Sequence, residues 1–242
     1  MTKMGEFAID RLLFTSPTMR AFNLEITATI DPEVDVPWNS RVTVFLFHRH
    51  RLVGKKTLRK TYIIPDEKNE AKIRLESLKI SNLIALKAFF QNLMPKNGIS
   101  QEESAGLCVT AALDHDENGH ELSISIDLDY MSMLSVHCLD FKRCDESVRL
   151  SFNMSSPSPV DMDFGYCQFI LKKDKEVLAF LDGHFTIQRG DCAVVMEGDV
   201  DLSVDYKLFE GTGTLTGFKT YAHNNTFLAH AIRLFKMQVK LS

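Results

Sequence analysis

Leu24-Glu-Ile-Thr-Ala-Thr-Ile-Asp-Pro-Glu-Val34-Asp35-Val36-Pro-Trp38 matches Leu150-Ser-Phe-Asn-Met-Ser-Ser-Pro-Ser-Pro-Val160-Asp161-Met162-Asp-Phe164 at a separation of 126 positions. The two stretches share few identities, but their apolar and polar positions stay in phase, and a fixed separation marks a duplicated unit. The same step carries Val44-Phe45-Leu46 onto Ile170-Leu171-Lys172, Leu52-Val53 onto Leu178-Ala179, and Phe7–Leu13 onto Met133–Leu139. Tyr62-Ile-Ile64 meets Phe185-Thr-Ile187 after the intervening loop shortens by three residues.

Within each copy the local pattern is that of strands. Leu24–Ile30, Arg41–Phe47, Leu122–Leu128 and Leu234–Leu241 largely alternate apolar with polar, the period of a strand with one buried face. Asp31-Pro32, Pro157-Ser-Pro159, Asn118-Gly119, Asp182-Gly183 and Arg189-Gly190 punctuate them as turns. Many short strands at regular spacing predict an all-β fold of two tandem antiparallel β-sandwiches, copy one over residues 5–129 and copy two over 131–242. One stretch departs from this pattern. Across residues 79–94 apolar residues recur at steps of three and four and stop at Pro95, which predicts an amphipathic helix with Leu83, Phe90 and Leu93 packed on copy one. The second copy has only Leu202–Phe209 before Gly211 at the corresponding place, so the helix is a feature of copy one.

The totals narrow the function classes. With 28 basic and 32 acidic side chains the net charge is −4, which argues against nonspecific binding to nucleic acid or to anionic membrane. Five cysteines (Cys108, Cys138, Cys144, Cys167 and Cys192) are spread without a C-x-x-C pair, so neither a disulfide framework nor a zinc ribbon is indicated. A reducing, cytoplasmic setting is expected. No run of eighteen apolar residues offers a membrane span, and the N-terminal apolar run is too short for a signal peptide. The 17 phenylalanines and ten methionines suit a large core or the lining of an apolar cavity.

Asn153-Met-Ser-Ser-Pro157-Ser-Pro159-Val160-Asp-Met-Asp-Phe164 resembles the Asn- and Pro-rich loop after the first strand of late-embryogenesis-abundant group 2 (water-stress, "WHy") proteins. Cys167-Gln-Phe-Ile-Leu171, then Phe185-Thr-Ile187 before Arg189-Gly190, is similar to that family's next hairpin and turn, and Gly213-Thr-Leu-Thr-Gly217 to its late strand. Fungal proteins with tandem copies of the domain are the nearest comparison. The resemblance covers most of copy two and, through the repeat, most of copy one. It implies the sandwich fold, and it sets the membrane helix usual in the family against a chain that has none in its sequence.

No Gly-x-Ser-x-Gly elbow, Walker loop, dinucleotide fingerprint or His-Glu-x-x-His occurs. His48-Arg49-His50-Arg51 falls at a hairpin tip and reads as a solvated turn, with anion capture as the functional alternative. His115-Asp-Glu-Asn-Gly-His120 brackets an Asn-Gly turn, and turn chemistry explains those residues without a metal. Asp127, Asp129, Asp161, Asp163, Asp199, Asp201 and Asp205 alternate, which places them on a wet strand face.

The expected function is therefore binding of a hydrophobic small molecule in a pocket between the copies, beside the helix. A cofactor-free cyclisation or cycloaddition of fungal secondary metabolism would be its catalytic form. A segment Asp129–His137 read as a junction strand brings Tyr130 and His137 there as catalytic donors, with Phe89 and Met94 as apolar wall. No metal or other cofactor, no nucleic acid and no membrane insertion are expected. The alternative is a non-catalytic stress or interaction protein without a ligand.

Overall fold

The computed structural model describes residues 5–15, 18–30, 40–61, 70–95, 108–116, 119–130, 134–144, 146–200, 203–222 and 226–241. Val34 and Trp38 of the repeat, Tyr62–Ile64, Met133 and Asn118 lie outside them. The fold is all-β with two short helices, and the chain divides into two compact units. Unit 1 comprises Met1–Phe89, Glu103–Met131 and Pro159–Asp161; unit 2 comprises Phe90–Glu102, Ser132–Ser158 and Met162–Ser242.

Among the described residues unit 1 contains seven strands: β1 (Gly5–Thr15), β2 (Ala21–Ile30), β3 (Ser40–His48), β4 (Arg51–Thr61), β5 (Glu70–Lys79), β6 (Cys108–Asp116) and β7 (Gly119–Asp127). They pair in the order β5-β2-β1-β6-β7-β3-β4. Period-two alternation sends Leu24, Ile26, Val42, Val44, Leu46, Ile73, Leu75, Ile124 and Ile126 into the core. A wholly antiparallel sheet was expected, but β3 runs parallel to β7. The long connection between them, through β4, β5, a helix and β6, is what a parallel pair requires and a hairpin cannot supply.

The ends of this sheet come together where β5 stops. Gly54 of β4 bridges Ile80, and Ser81 donates its N–H to the Val53 carbonyl at 2.8 Å. Only glycine permits that approach: a Cβ on Gly54 would stand 2.4 Å from Leu78 Cδ2 and 2.9 Å from the Lys79 carbonyl oxygen.

These bonds hold residues 79–82 outside the helix, so α1 spans Leu83–Leu93 and not 79–94. Asn82 caps it, its Oδ1 accepting from Ala85 N–H at 3.0 Å, and Pro95 follows its end. Leu83 is 51% exposed and does not pack as expected. Phe90, also expected on copy one, belongs to unit 2, where its ring lies 4.9 Å from that of Phe227. Successive helical positions point about 100° apart, so Phe89 and Phe90 face different neighbours.

Unit 2 contains β8 (Ser135–Cys144), β9 (Ser147–Ser156), most of β10 (Val160–Lys173), β11 (Glu176–Ile187), β12 (Gly190–Asp199), β13 (Gly211–Thr220) and β14 (Lys236–Leu241). They pair antiparallel in the order β8-β9-β12-β11-β10-β13-β14. Phe164, Phe169, Phe185 and Phe235 meet at its centre, with ring centroids 5.0 to 5.8 Å apart. A helical turn that the alternation did not predict, α2 (Phe227–Ala231), is capped by Thr226 Oγ1, which accepts from Ala229 N–H at 3.3 Å. Among the described residues no helix is long and apolar enough to cross a membrane.

Candidate functional site

The inward positions of β3 run Val42, Val44, Leu46 and then His48, so the alternation that builds the core delivers an imidazole to its edge. His48 is 1% exposed. It pairs with Arg51 across a two-residue turn whose residues, Arg49 and His50, have φ of 49° and 58°. That is the primed turn that suits the twist of a hairpin, here made without glycine.

One carboxylate secures this corner. His48 Nδ1 lies 2.7 Å from Asp129 Oδ1, off the ideal N–H line, and Asp129 Oδ2 accepts the Arg49 backbone N–H. Asp129 itself stands in a 3-10 turn, Leu128–Tyr130, closed by Asp127 Oδ1 accepting from Asp129 N–H at 3.0 Å. This local bond is why the expected junction strand does not begin at Asp129. The ring of Phe89 meets His48 edge-on at 6.0 Å.

Burial lowers the His48 pKa, as does the Arg49 charge, and these outweigh Asp129 and Asp127, which raise it; the net shift is downward from 6.5. The imidazole is thus neutral at neutral pH, with Nδ1 facing the carboxylate. Nε2 has no partner among the described residues.

Linkage fixes the sign of the pH effect. Below 6.5 the unfolded chain binds more protons than the folded one, so stability is complete above 6.5 and declines as pH falls through that value toward the lower folded one. The urea midpoint of unit 1 is expected to drop between about pH 7 and about pH 5. His48→Phe should flatten that drop, and an unchanged slope in the variant would assign it to other groups.

Beside this corner, and wholly within unit 1, is a cleft of about 220 Å³ lined by His48, Arg49, Arg51, Ile84, Ala85 and Ala88. Helix α1 contributes its first two turns, with Ile84 74% exposed next to Leu83, while Leu86 and Phe89 on its other side are buried. A second cleft of about 230 Å³ between β1, β2 and β5 holds Glu25, Arg74 and Asn23. Its one cation is answered, Arg74 Nε donating to Glu25 at 2.7 Å, Asn23 Oδ1 accepts the Ser77 N–H at 2.8 Å, and the remaining charge of its lining is the acid Glu76. The His48 cleft carries two cations, Arg49 and Arg51, that make no side-chain ion pair among the described residues, and it is the candidate site.

The residues expected to form a site lie as follows. Phe89 and Met94 are 1% and 2% exposed, packed as core. His137 is exposed on β8 opposite Asn153, and Tyr130 closes the 3-10 turn, its side chain outside the described residues. The run His48–Arg51 is a solvated turn only at Arg49, His50 and Arg51, since its first histidine is buried by the β3 alternation. His115 pairs with His120 across the β6–β7 hairpin.

No group of three metal-ligating side chains converges among the described residues. Three of the alternating acids are engaged: Asp161 accepts from Arg11, 150 positions away, at 2.5 Å, Asp163 from Gly165 N–H at 2.7 Å, and Asp205 from Lys207 N–H at 3.0 Å. Burial pushes the Cys167 thiol up to about 12, which disqualifies it as a nucleophile. Cys138, Cys144, Cys167 and Cys192 are free thiols. The alternation through Val42, Val44 and Leu46 could have found His48; no sequence signal points to Asp129 as its partner. Neither the comparison with protein-family models nor that with curated proteins finds a match for this chain.

Proposed function

We propose that this is a small-molecule-binding protein made of two late-embryogenesis-abundant group 2-like β-sandwiches, with its ligand seated in the His48 cleft. The observation that carries the binding reading is a large exposed aliphatic, Ile84, on the wall of a concave site rimmed by two arginines. Two or three convergent polar groups beside apolar wall are the usual make-up of a ligand site.

The two-copy reading is supported by β2 and β9, which stand 126 positions apart at both ends. It is supported also by the pairings β1-β2-β5 with β3-β4 in one unit and β8-β9-β12 with β10-β11 in the other. The last hairpin departs from the correspondence: β7 lies parallel to β3, whereas β13 lies antiparallel to β10.

At about 220 Å³ the cleft falls below the roughly 300–1,000 Å³ that encloses a drug-sized ligand. A bound molecule therefore enters by one end, which favours recognition over an enclosed cofactor-free cyclisation. Native mass spectrometry of the protein purified from its source is expected to show a dissociable hydrophobic adduct. Ala88→Trp, which fills the cleft from the helix, should abolish the adduct at an unchanged melting temperature. An adduct that survives Ala88→Trp, or the absence of any, would sink the reading.

A further inference from the structure

We propose that the ligand is an aliphatic carboxylate, its charged end held by Arg49 and Arg51 and its chain laid along Ile84, Ala85 and Ala88. This rests on the cleft reading above and adds the ligand class to it.

The charge of the site decides the sign of the ligand. Arg49 and Arg51 both line the cleft, and neither side chain makes an ion pair among the described residues. The nearby acids are held in other contacts and make no ion pair with either guanidinium among the described residues: Asp129 faces His48 and the Arg49 backbone N–H, and Asp127 accepts from Asp129 N–H. The first turn of α1 carries no acidic side chain, and its positive end is met by the Asn82 cap. Two guanidiniums would repel a cationic ligand, and their planar forks match a carboxylate in a bidentate manner.

The apolar half of the site decides the rest. Ile84, 74% exposed, gives the cleft a hydrophobic wall beside those cations. The volume of about 220 Å³, roughly seven waters' worth at about 30 Å³ each, suits a short chain better than a ring system.

Octanoate, 1-octanol and octylammonium, each below its aggregation limit, test this on the full chain with the Ile84 and Ala88 methyl resonances as readout. Octanoate is expected to bind about tenfold more tightly than octanol, octylammonium more weakly than either, and the R49Q/R51Q variant should bring octanoate down to the octanol level. Equal affinity for octanoate and octanol, or no change in R49Q/R51Q, overturns the carboxylate assignment while leaving the cleft reading intact. If none of the three moves Ile84, the cleft reading falls as well. Co-sedimentation with phosphatidylserine vesicles that depends on Arg49 and Arg51, with no response to octanoate, overturns the proposal in favour of a lipid surface.

Discussion

Unit 2 is expected to lose about 3–5 kcal/mol of unfolding free energy when Phe185 is replaced by alanine. Phe185 is fully buried on β11, and its ring lies 5.4 Å from Phe164, 5.8 Å from Phe169 and 5.3 Å from Phe235. Truncation removes the transfer energy of the ring and leaves three large neighbours that cannot close the gap without leaving their rotamers. Edge-to-face geometry against Phe169 and Phe235 adds a further share, about 0.5–1.5 kcal/mol for each such pair. Urea unfolding followed by far-UV circular dichroism measures it. A loss below about 1 kcal/mol would mean that the four rings do not form the packed centre of the unit.

Asp129→Ala is expected to cost unit 1 about 1–3 kcal/mol, because it removes the carboxylate beside a buried imidazole and the acceptor of a turn amide together. The carboxylate faces His48 Nδ1 at 2.7 Å and also takes the Arg49 N–H. Asp129→Asn retains one acceptor oxygen and should fall between wild type and Asp129→Ala. In His48→Phe there is no buried imidazole left beside the carboxylate, so Asp129→Ala should cost less in that background. A double-mutant cycle by chemical denaturation reads the coupling, and additive losses would show that the 2.7 Å contact contributes nothing.

The strands were legible in the sequence because the pleat imposes a period of two on any sheet with one wet face. Leu24–Ile30 falls inside β2, Arg41–Phe47 inside β3, and the helix ends before Pro95. Boundaries shifted where a tertiary bond competed with local propensity, as at Ile80, which the Gly54 bridge keeps out of α1. The candidate site was legible only in half. Arg49 and Arg51 stood out as a charged tip, but their meaning depends on Asp129, whose contact with Arg49 spans 80 positions. Nothing in a linear pattern states which distant carboxylate a histidine will meet. Phe89 and Met94 illustrate the converse: large apolar residues fit a pocket wall and a core equally well on paper, and here both are core.

Arg49 and His50, both with positive φ, sit in a backbone conformation that glycine adopts freely and that costs an ordinary residue of order 1 kcal/mol or more. An engineer optimising this hairpin for heat resistance would install Asn-Gly there, and the protein would gain stability. It would also lose one of the two cations that rim the cleft. The turn is thus a place where robustness and the proposed ligand recognition meet in one residue, Arg49, so variants selected only for thermal tolerance should drift toward weaker binders.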